Sequence, residues 1–205
     1  MQSTGPLAVT IGANLRLGAT QTWNVASSAG VLTLGGSLLG DANVTKSGAG
    51  KVILSAAADP GFNSAGTTTL TVSAGTLELT NAGALGTAAA GNAASLVLSG
   101  GAFYYNNATA ATMAQPITLS GGTLSGGGAN HTYSGAISVS SSSFVNLADL
   151  NGPSTAAEAR NITLSGAVTG NGTLTIDSNN TVSAGNQLEG TLSISSAAST
   201  WSGNL

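Results

Sequence analysis

Short apolar runs recur along this chain about every 20 residues, and this recurrence limits what the chain can fold into. Nine runs of the form apolar-x-apolar begin at Leu32, Val52, Leu70, Leu96, Ile117, Ile137, Ile162, Leu174 and Leu192. Their mean spacing is 20 residues, although the step from Ile162 to Leu174 is only 12. Alternation of apolar and polar residues indicates β-strands, and a fixed period of this length indicates a repeat architecture.

A second element, Gly-Thr-Leu, follows several of these runs, as in "AGTLEL", "GGTLSG", "GNGTLTI" and "EGTLSI". Two or three short strands and a glycine corner in about 20 residues fit one turn of a parallel β-solenoid. We therefore predict an all-β fold, a right-handed single-stranded parallel β-helix of eight to ten turns that spans 1–205 as one segment. Leu, Val and Ile would point inward, and Thr, Ser and Asn outward. We expect loop excursions near 56–66 and 147–161, with a helical turn within 152–161.

The stretch "TLTVSAGTLEL", Thr69 to Leu79, could also be a hairpin, because Leu70 would then face Leu79. An antiparallel sandwich built from such hairpins is the rival fold. The sequence favours the solenoid, because Asn-Gly and Asp-Gly turns are rare in it. In a solenoid, Ala74-Gly75 is a corner, the apolar residues of the stretch point inward, and Glu78 points outward.

Charge and cysteine content exclude several classes of function. Charged residues make up 5% of the chain and only four are cationic, so no basic patch for nucleic acid can form. No apolar run approaches the roughly 18 residues that span a bilayer, so we expect no membrane insertion by this segment. Cysteine is absent, which excludes disulfides and thiolate metal sites. We predict no cofactor.

The seven acidic residues are scattered, and the sequence predicts no catalytic, cofactor-binding or metal-binding residue. Asp41 with Asp59, and Glu158 with Asp177, lie about one turn apart and could pair as in carbohydrate-active β-helix enzymes. Solvated loop charges are the favoured interpretation. The single histidine, His131, is interpreted as a surface loop residue.

The aromatic segment "AFYYNN", which contains Phe103, Tyr104 and Tyr105, has two interpretations. Exposed rings could form a platform for sugar stacking, which would make the chain a glycan-binding module. Packing of the rings in or beside the core is the favoured interpretation.

One region resembles a known repeat family. The segments "VTKSGAGKVILSAA" and "AGTTTLTVSAGTLELTNAGALGT" look like the passenger-associated β-strand repeat of bacterial autotransporters. The clearest copy covers 46–86, and its matching positions include Lys46, Gly48, Gly50 and Gly75. Ser47 departs from the usual threonine, and "AAADPGFNSAG" departs from the usual loop. "ANHTYSGAI" and "ITLSGAVTGNGTLTI" look like degenerate copies.

This resemblance implies a right-handed β-helix displayed at the surface of a Gram-negative-type cell. The signal peptide and the translocating barrel would lie outside this segment, so we expect an excerpt of a longer rod. The expected function is a non-enzymatic stalk or adhesin segment. The alternative is a carbohydrate-binding or carbohydrate-active, pectate-lyase-like β-helix. Its expected partners are neighbouring turns of the longer chain and host or environmental glycans. We also expect exposed sheet edges at both ends.

Overall fold

A computed structural model describes residues 7–58, 61–86, 93–147, 161–177 and 190–205, which form a β-solenoid of stacked parallel strands without a helix. Three sheets run along the stack. Sheet I contains β1 (Ala8–Ile11), β4 (Val31–Leu34), β7 (Lys51–Leu54), β9 (Thr76–Leu79), β11 (Ala102–Asn106), β14 (Thr123–Gly127), β17 (Ser143–Asn146) and β20 (Leu174–Asp177). Sheet II contains β3 (Gln21–Asn24), β6 (Val44–Ser47), β8 (Thr69–Val72), β10 (Ser95–Leu98), β13 (Ile117–Leu119), β16 (Ile137–Val139) and β19 (Val168–Gly170).

The remaining strands lie on the path from sheet I to sheet II. Sheet III contains β12 (Thr112–Met113), β15 (His131–Tyr133), β18 (Ile162–Leu164) and β21 (Leu192–Ile194). A separate pair near the start of the chain contains β2 (Leu15–Arg16) and β5 (Leu38–Leu39). The chain visits sheet I, then this side, then sheet II, and repeats the circuit one level further along. The helical turn predicted within 152–161, apart from Asn161, lies outside the described residues.

Every strand pair in the described ranges is parallel, so the solenoid is confirmed and the antiparallel sandwich was the wrong alternative. Leu70 pairs with Val44 and Leu96 in sheet II, whereas Leu79 pairs with Leu54 and Tyr105 in sheet I. The stretch from Thr69 to Leu79 is therefore a corner between two sheets and not a hairpin.

The turns are somewhat longer, and fewer, than the spacing in the sequence predicted. The eight strands of sheet I define seven circuits of roughly 23 residues, and the circuit from Ser143 to Leu174 is longer than that average. The recurrent runs in the sequence lie on different sheets, which shortened their apparent period. Ile162 begins a strand of sheet III and Leu174 begins a strand of sheet I, so the short step between them is less than one circuit.

The connection from sheet II to sheet I hardly varies after the first circuit, whereas the return path varies greatly. Three residues join the two sheets at 48–50, 73–75, 99–101, 120–122, 140–142 and 171–173, and only the first connection, at 25–30, is longer. The path back to sheet II is longer between Leu54 and Thr69 than between Gly127 and Ile137. The longest connections therefore lie on one side of the solenoid.

The core is built of side-chain ladders that run along the stack. One inward ladder of sheet I contains Val9, Leu32, Val52, Leu77, Phe103, Leu124, Val145 and Ile176. Its members from Val52 to Val145 are completely buried, whereas Val9 and Ile176 at its two ends are each 40% exposed. Each rung is therefore covered by the turns on both sides of it.

We expect Leu77→Ala to lower the free energy of unfolding by about 2–5 kcal/mol, because it opens a cavity between two covered rungs. Thr76→Ala on the same strand faces outward and should change stability by about 0.5 kcal/mol or less. Denaturant unfolding followed by circular dichroism measures both. Equal effects of the two substitutions would contradict the inward ladder.

The exposed end rungs predict self-association. Val9 and Ile11 point inward by register but are 40% and 37% exposed. We expect concentration-dependent oligomers in sizing experiments, and Val9→Lys with Ile11→Lys should reduce them. Thr10→Lys, which points outward from the same strand, is the control. A monomer at all concentrations would argue against association through this edge.

Candidate functional site

Lys46 is a buried cation at the corner between sheets II and I. It occupies an inward position of β6, between Trp23 and Val72 in neighbouring strands, and is 0% exposed. Its ammonium group donates hydrogen bonds to the carbonyl oxygens of Ser47 at 2.9 Å, Gly48 at 2.8 Å and Ala74 at 2.9 Å. Three donors thus meet three backbone acceptors, two from its own corner and one from the next turn.

Glycine makes this corner possible. Gly75 has φ of +64°, in the region that favours glycine. A Cβ at Gly75 would collide with the carbonyl oxygens of Gly48 and Gly50, and would lie 2.7 Å from Nζ of Lys46. The close approach of two turns around the ammonium group therefore requires a residue without a side chain.

Burial lowers the pKa of Lys46 below its ordinary value of 10.5. In the sequence, Lys46 is one of four cations and a position of the repeat. Its burial could have been predicted from alternation, because "VTKS" places Lys46 in phase with the inward Val44.

Glu78 corrects a prediction. It lies on the outer face of sheet I, as its phase requires, but it is only 4% exposed. One of its carboxylate oxygens accepts a hydrogen bond from Nζ of Lys51 at 2.7 Å, and the other accepts one from Nδ2 of Asn106 at 2.8 Å. These groups from the two neighbouring strands, β7 and β11, cover a residue that we expected to be solvated.

His131 also corrects a prediction, because it lies in β15 and is 2% exposed. Its Nε2 is 2.8 Å from the carbonyl oxygen of Gly127, which can only accept, so Nε2 carries a proton. Its ring meets that of Tyr105 edge-on, with centroids 4.4 Å apart. The inward phase of the strand, which sequence reasoning assigned to a loop, explains the burial.

The aromatic segment is buried, with Phe103 and Tyr105 inside the solenoid and Tyr104 on the outer face of sheet I. Phe103, Tyr104 and Tyr105 are at most 1% exposed, so they offer no open platform for sugar stacking. Tyr133 packs edge-on against Phe103, with centroids 6.4 Å apart, and its hydroxyl donates to the carbonyl oxygen of Ser125 at 2.9 Å. Burial, with a smaller contribution from Tyr105, raises the pKa of Tyr133.

Two consecutive glycines in β14 make room for these rings on both faces of sheet I. A Cβ on Gly126 would lie 3.1 Å from the ring of His131 inside the solenoid. A Cβ on Gly127 would collide with the phenol of Tyr104, which lies on the outer face. The glycine pair thus serves side-chain packing, whereas Gly75 serves a backbone approach.

The acidic pairs proposed from the sequence are not seen together. Asp59 and Glu158 lie outside the described residues, as does the side chain of Asp177. The Asp41 carboxylate accepts hydrogen bonds from Ser64 Oγ at 3.1 Å and from the backbone N–H of Ala65 at 2.9 Å. Asp41 therefore anchors the loop that connects Leu54 to Thr69 in the following turn.

An open depression of about 350 Å³ lies beside Asp41 and is lined by Arg16, Leu17, Gly18, Gly40, Asp41 and Ala42. It holds one exposed cation and one exposed anion, the latter already engaged by the excursion. Within the described ranges, no three His, Asp or Glu side chains lie close enough to share a metal ion. The same part of the chain contains no helix long and apolar enough to cross a membrane.

Comparisons with known proteins add no relative to this description. No protein-family model, no curated protein and no solved structure matches the chain. The Lys46 ammonium group is completely buried and contacts backbone carbonyl oxygens, so its arrangement is a structural feature of the corner.

We expect Lys46→Met to lower the free energy of unfolding by about 1–3 kcal/mol at neutral pH, because it leaves buried carbonyl oxygens without their donor. The same methionine at the neighbouring outward position, Thr45→Met, is the control and should change stability by about 0.5 kcal/mol or less. Denaturant unfolding of both variants measures the difference.

The lowered pKa of Lys46 gives this difference a pH dependence. Between the folded-state pKa and 10.5, the unfolded state binds more protons than the folded state. The contribution of Lys46 to stability therefore rises with pH in that window. The gap between the wild type and Lys46→Met should widen as pH approaches 10.5. If the stability difference narrows instead, the three carbonyl oxygens around Nζ favour the charged form of Lys46.

Proposed function

We propose that this chain is a non-enzymatic rod segment of an autotransporter-type, surface-displayed passenger, acting as a spacer or adhesive surface. The observation that carries this proposal is the uninterrupted stack of turns. Eight strands of sheet I lie side by side, and seven intervals of about 4.8 Å give a rod of about 34 Å. A stack of this kind is stiff along its axis, so it keeps the parts attached to its two ends at a fixed distance from each other.

The corner chemistry supports the family part of the proposal. The resemblance to the passenger-associated repeat rests on positions that include Lys46, Gly48, Gly50 and Gly75. These four residues meet at one corner, where the glycines let two turns close around the ammonium group. The spacing of these four residues in the sequence is therefore explained by their contacts at a single corner.

Stacking also suggests how the segment would assist its own export. Each added turn covers the inward rungs of the turn before it, so folding can propagate from turn to turn along the rod. A chain that folds outside the cell in this way is hindered from sliding back. The cell surface is accordingly the proposed location.

The proposal is tested by replacing the β-helical region of a characterised autotransporter with this chain, placed behind an N-terminal epitope. We expect the epitope to be labelled by antibody on intact cells. Val72→Asp, which puts a charge into the core, should reduce labelling several-fold. Thr71→Asp, the outward neighbour on the same strand, should leave it unchanged.

Two results would overturn the proposal. One is the absence of surface labelling for the wild-type chain when the parent passenger is displayed normally. The other is turnover of a glycan by the purified chain that is lost when an acidic residue is replaced, since a catalyst is not a spacer.

A further inference from the structure

We propose that a water molecule binds inside the solenoid between Thr68 and Gln115 and links three successive circuits. Both residues are only 1% exposed. The hydroxyl oxygen of Thr68 and the amide oxygen Oε1 of Gln115 are buried, and neither atom has a hydrogen-bond partner among the described residues. A buried polar atom without a partner destabilises the fold, so a water molecule that reaches both atoms would satisfy two such groups at once.

The two residues lie on one inward ladder, with Ala94 between them. The registers of β8 with β10 and of β10 with β13, continued by one or two residues before these strands, place Thr68, Ala94 and Gln115 in line. Ala94 is completely buried. Because its side chain is a single methyl group, it fills less of the ladder than the leucine and valine side chains of the neighbouring rungs do.

The side chain of Gln115 reaches back by one circuit. Its Nε2 donates a hydrogen bond to the carbonyl oxygen of Gly86 at 2.8 Å and a longer one to that of Leu85 at 3.5 Å. The same carbonyl oxygen of Leu85 accepts a hydrogen bond from the backbone N–H of Ala94 at 2.9 Å. The amide group of Gln115 therefore lies at the level of Ala94, one strand spacing from Thr68.

These contacts also fix the orientation of the amide group. A carbonyl oxygen can only accept, so the atom that faces Gly86 is the nitrogen, and Oε1 takes the other position and requires a donor. Neighbouring strands are about 4.8 Å apart. Two water hydrogen bonds of about 2.8 Å each span a gap of this size. The water donates to Oε1 of Gln115 and pairs with the hydroxyl group of Thr68.

The site joins connections that the strand ladders leave separate. Thr68 ends the connection that leads from Leu54 into sheet II, and Gln115 lies just before sheet II two circuits later. The backbone N–H of Thr68 donates to Oδ1 of Asn63 at 2.6 Å, so Thr68 is also held by its own connection. The bound water thus ties the variable return path to the core across these circuits.

A monovalent cation also binds oxygen atoms, but this position lacks the charge to balance one. Of the acidic side chains that the structure describes, Asp41 lies at the open depression and Glu78 lies on the outer face of sheet I. A cation buried without a paired anion is strongly unfavourable. A neutral water molecule is therefore the occupant that fits.

The first test is the sign of the stability change in Thr68→Val, which keeps the branched shape and removes the hydroxyl group. With the water bound, we expect the folding equilibrium constant to fall about five-fold, because the water loses a partner. Without the water, removal of an unpaired buried hydroxyl group should raise this constant. Thr69→Val removes the neighbouring outward hydroxyl group and is the control, with an expected change below about two-fold. Denaturant unfolding measures both variants.

A double-mutant cycle tests whether the two residues share the water. Gln115→Met removes Oε1, and in that background Thr68→Val should no longer lower the folding equilibrium constant. The two backbone positions are about 10 Å apart, with a whole circuit between them, so coupling of this kind requires a bridging group. Equal effects of Thr68→Val in both backgrounds would overturn the inference.

A crystal structure of the full chain tests the occupant without any variant. We expect an ordered water within about 3 Å of both Thr68 Oγ1 and Gln115 Oε1. A dry site, or direct contact between the two side chains, would contradict the inference. Wild-type stability that rises in sodium chloride but not in choline chloride would replace the water by a cation. The surface-display assay has a separate readout, so the spacer proposal stands or falls independently.

Discussion

Parallel hydrogen bonding between successive turns is the constraint on which the rest of this structure depends. The backbone of each inner strand is paired with the equivalent strand one circuit earlier and one circuit later, as when β9 lies between β7 and β11. This pairing fixes the phase of every side chain, because alternate residues point to opposite faces. Inward positions then form continuous ladders, and each rung is covered only when both of its neighbours are present.

The corners show how the pairing is maintained where the chain changes direction. Three-residue connections carry the chain from sheet II to sheet I in all but the first circuit, and glycines allow the turns to approach closely there. The backbone carbonyl groups at such a corner cannot all be paired within strands. At one corner, Lys46 supplies the missing donors from inside the solenoid. A buried ammonium group is costly, and here three hydrogen bonds offset part of that cost.

Much of the fold could be predicted from the sequence, because a solenoid repeats its local rules. The alternation in "TLTVSAGTLEL" and the glycine after Ala74 together indicated a corner, and Leu70, Val72, Leu77 and Leu79 are all buried. The predicted period of about 20 residues was shorter than the observed circuit of roughly 23, because similar runs occur on different sheets. Glu78 lies on the predicted outer face, but its burial was missed, as was that of His131, since both depend in part on Lys51, Asn106 and Tyr105, which come from other turns. Such contacts leave no local signal.

The difference between the two kinds of connection bears on how such a chain can change over evolutionary time. Insertions enter on the path from sheet I to sheet II, as in the long connection between Leu54 and Thr69, and they leave the three-residue corners untouched. A new loop within this connection adds surface and leaves the ladders of sheets I and II in place as long as Phe62, which is completely buried, keeps its position in the core. Diversification and structural integrity are thus assigned to opposite sides of the same molecule, and a foreign peptide grafted there would be presented on a scaffold that does not have to adjust.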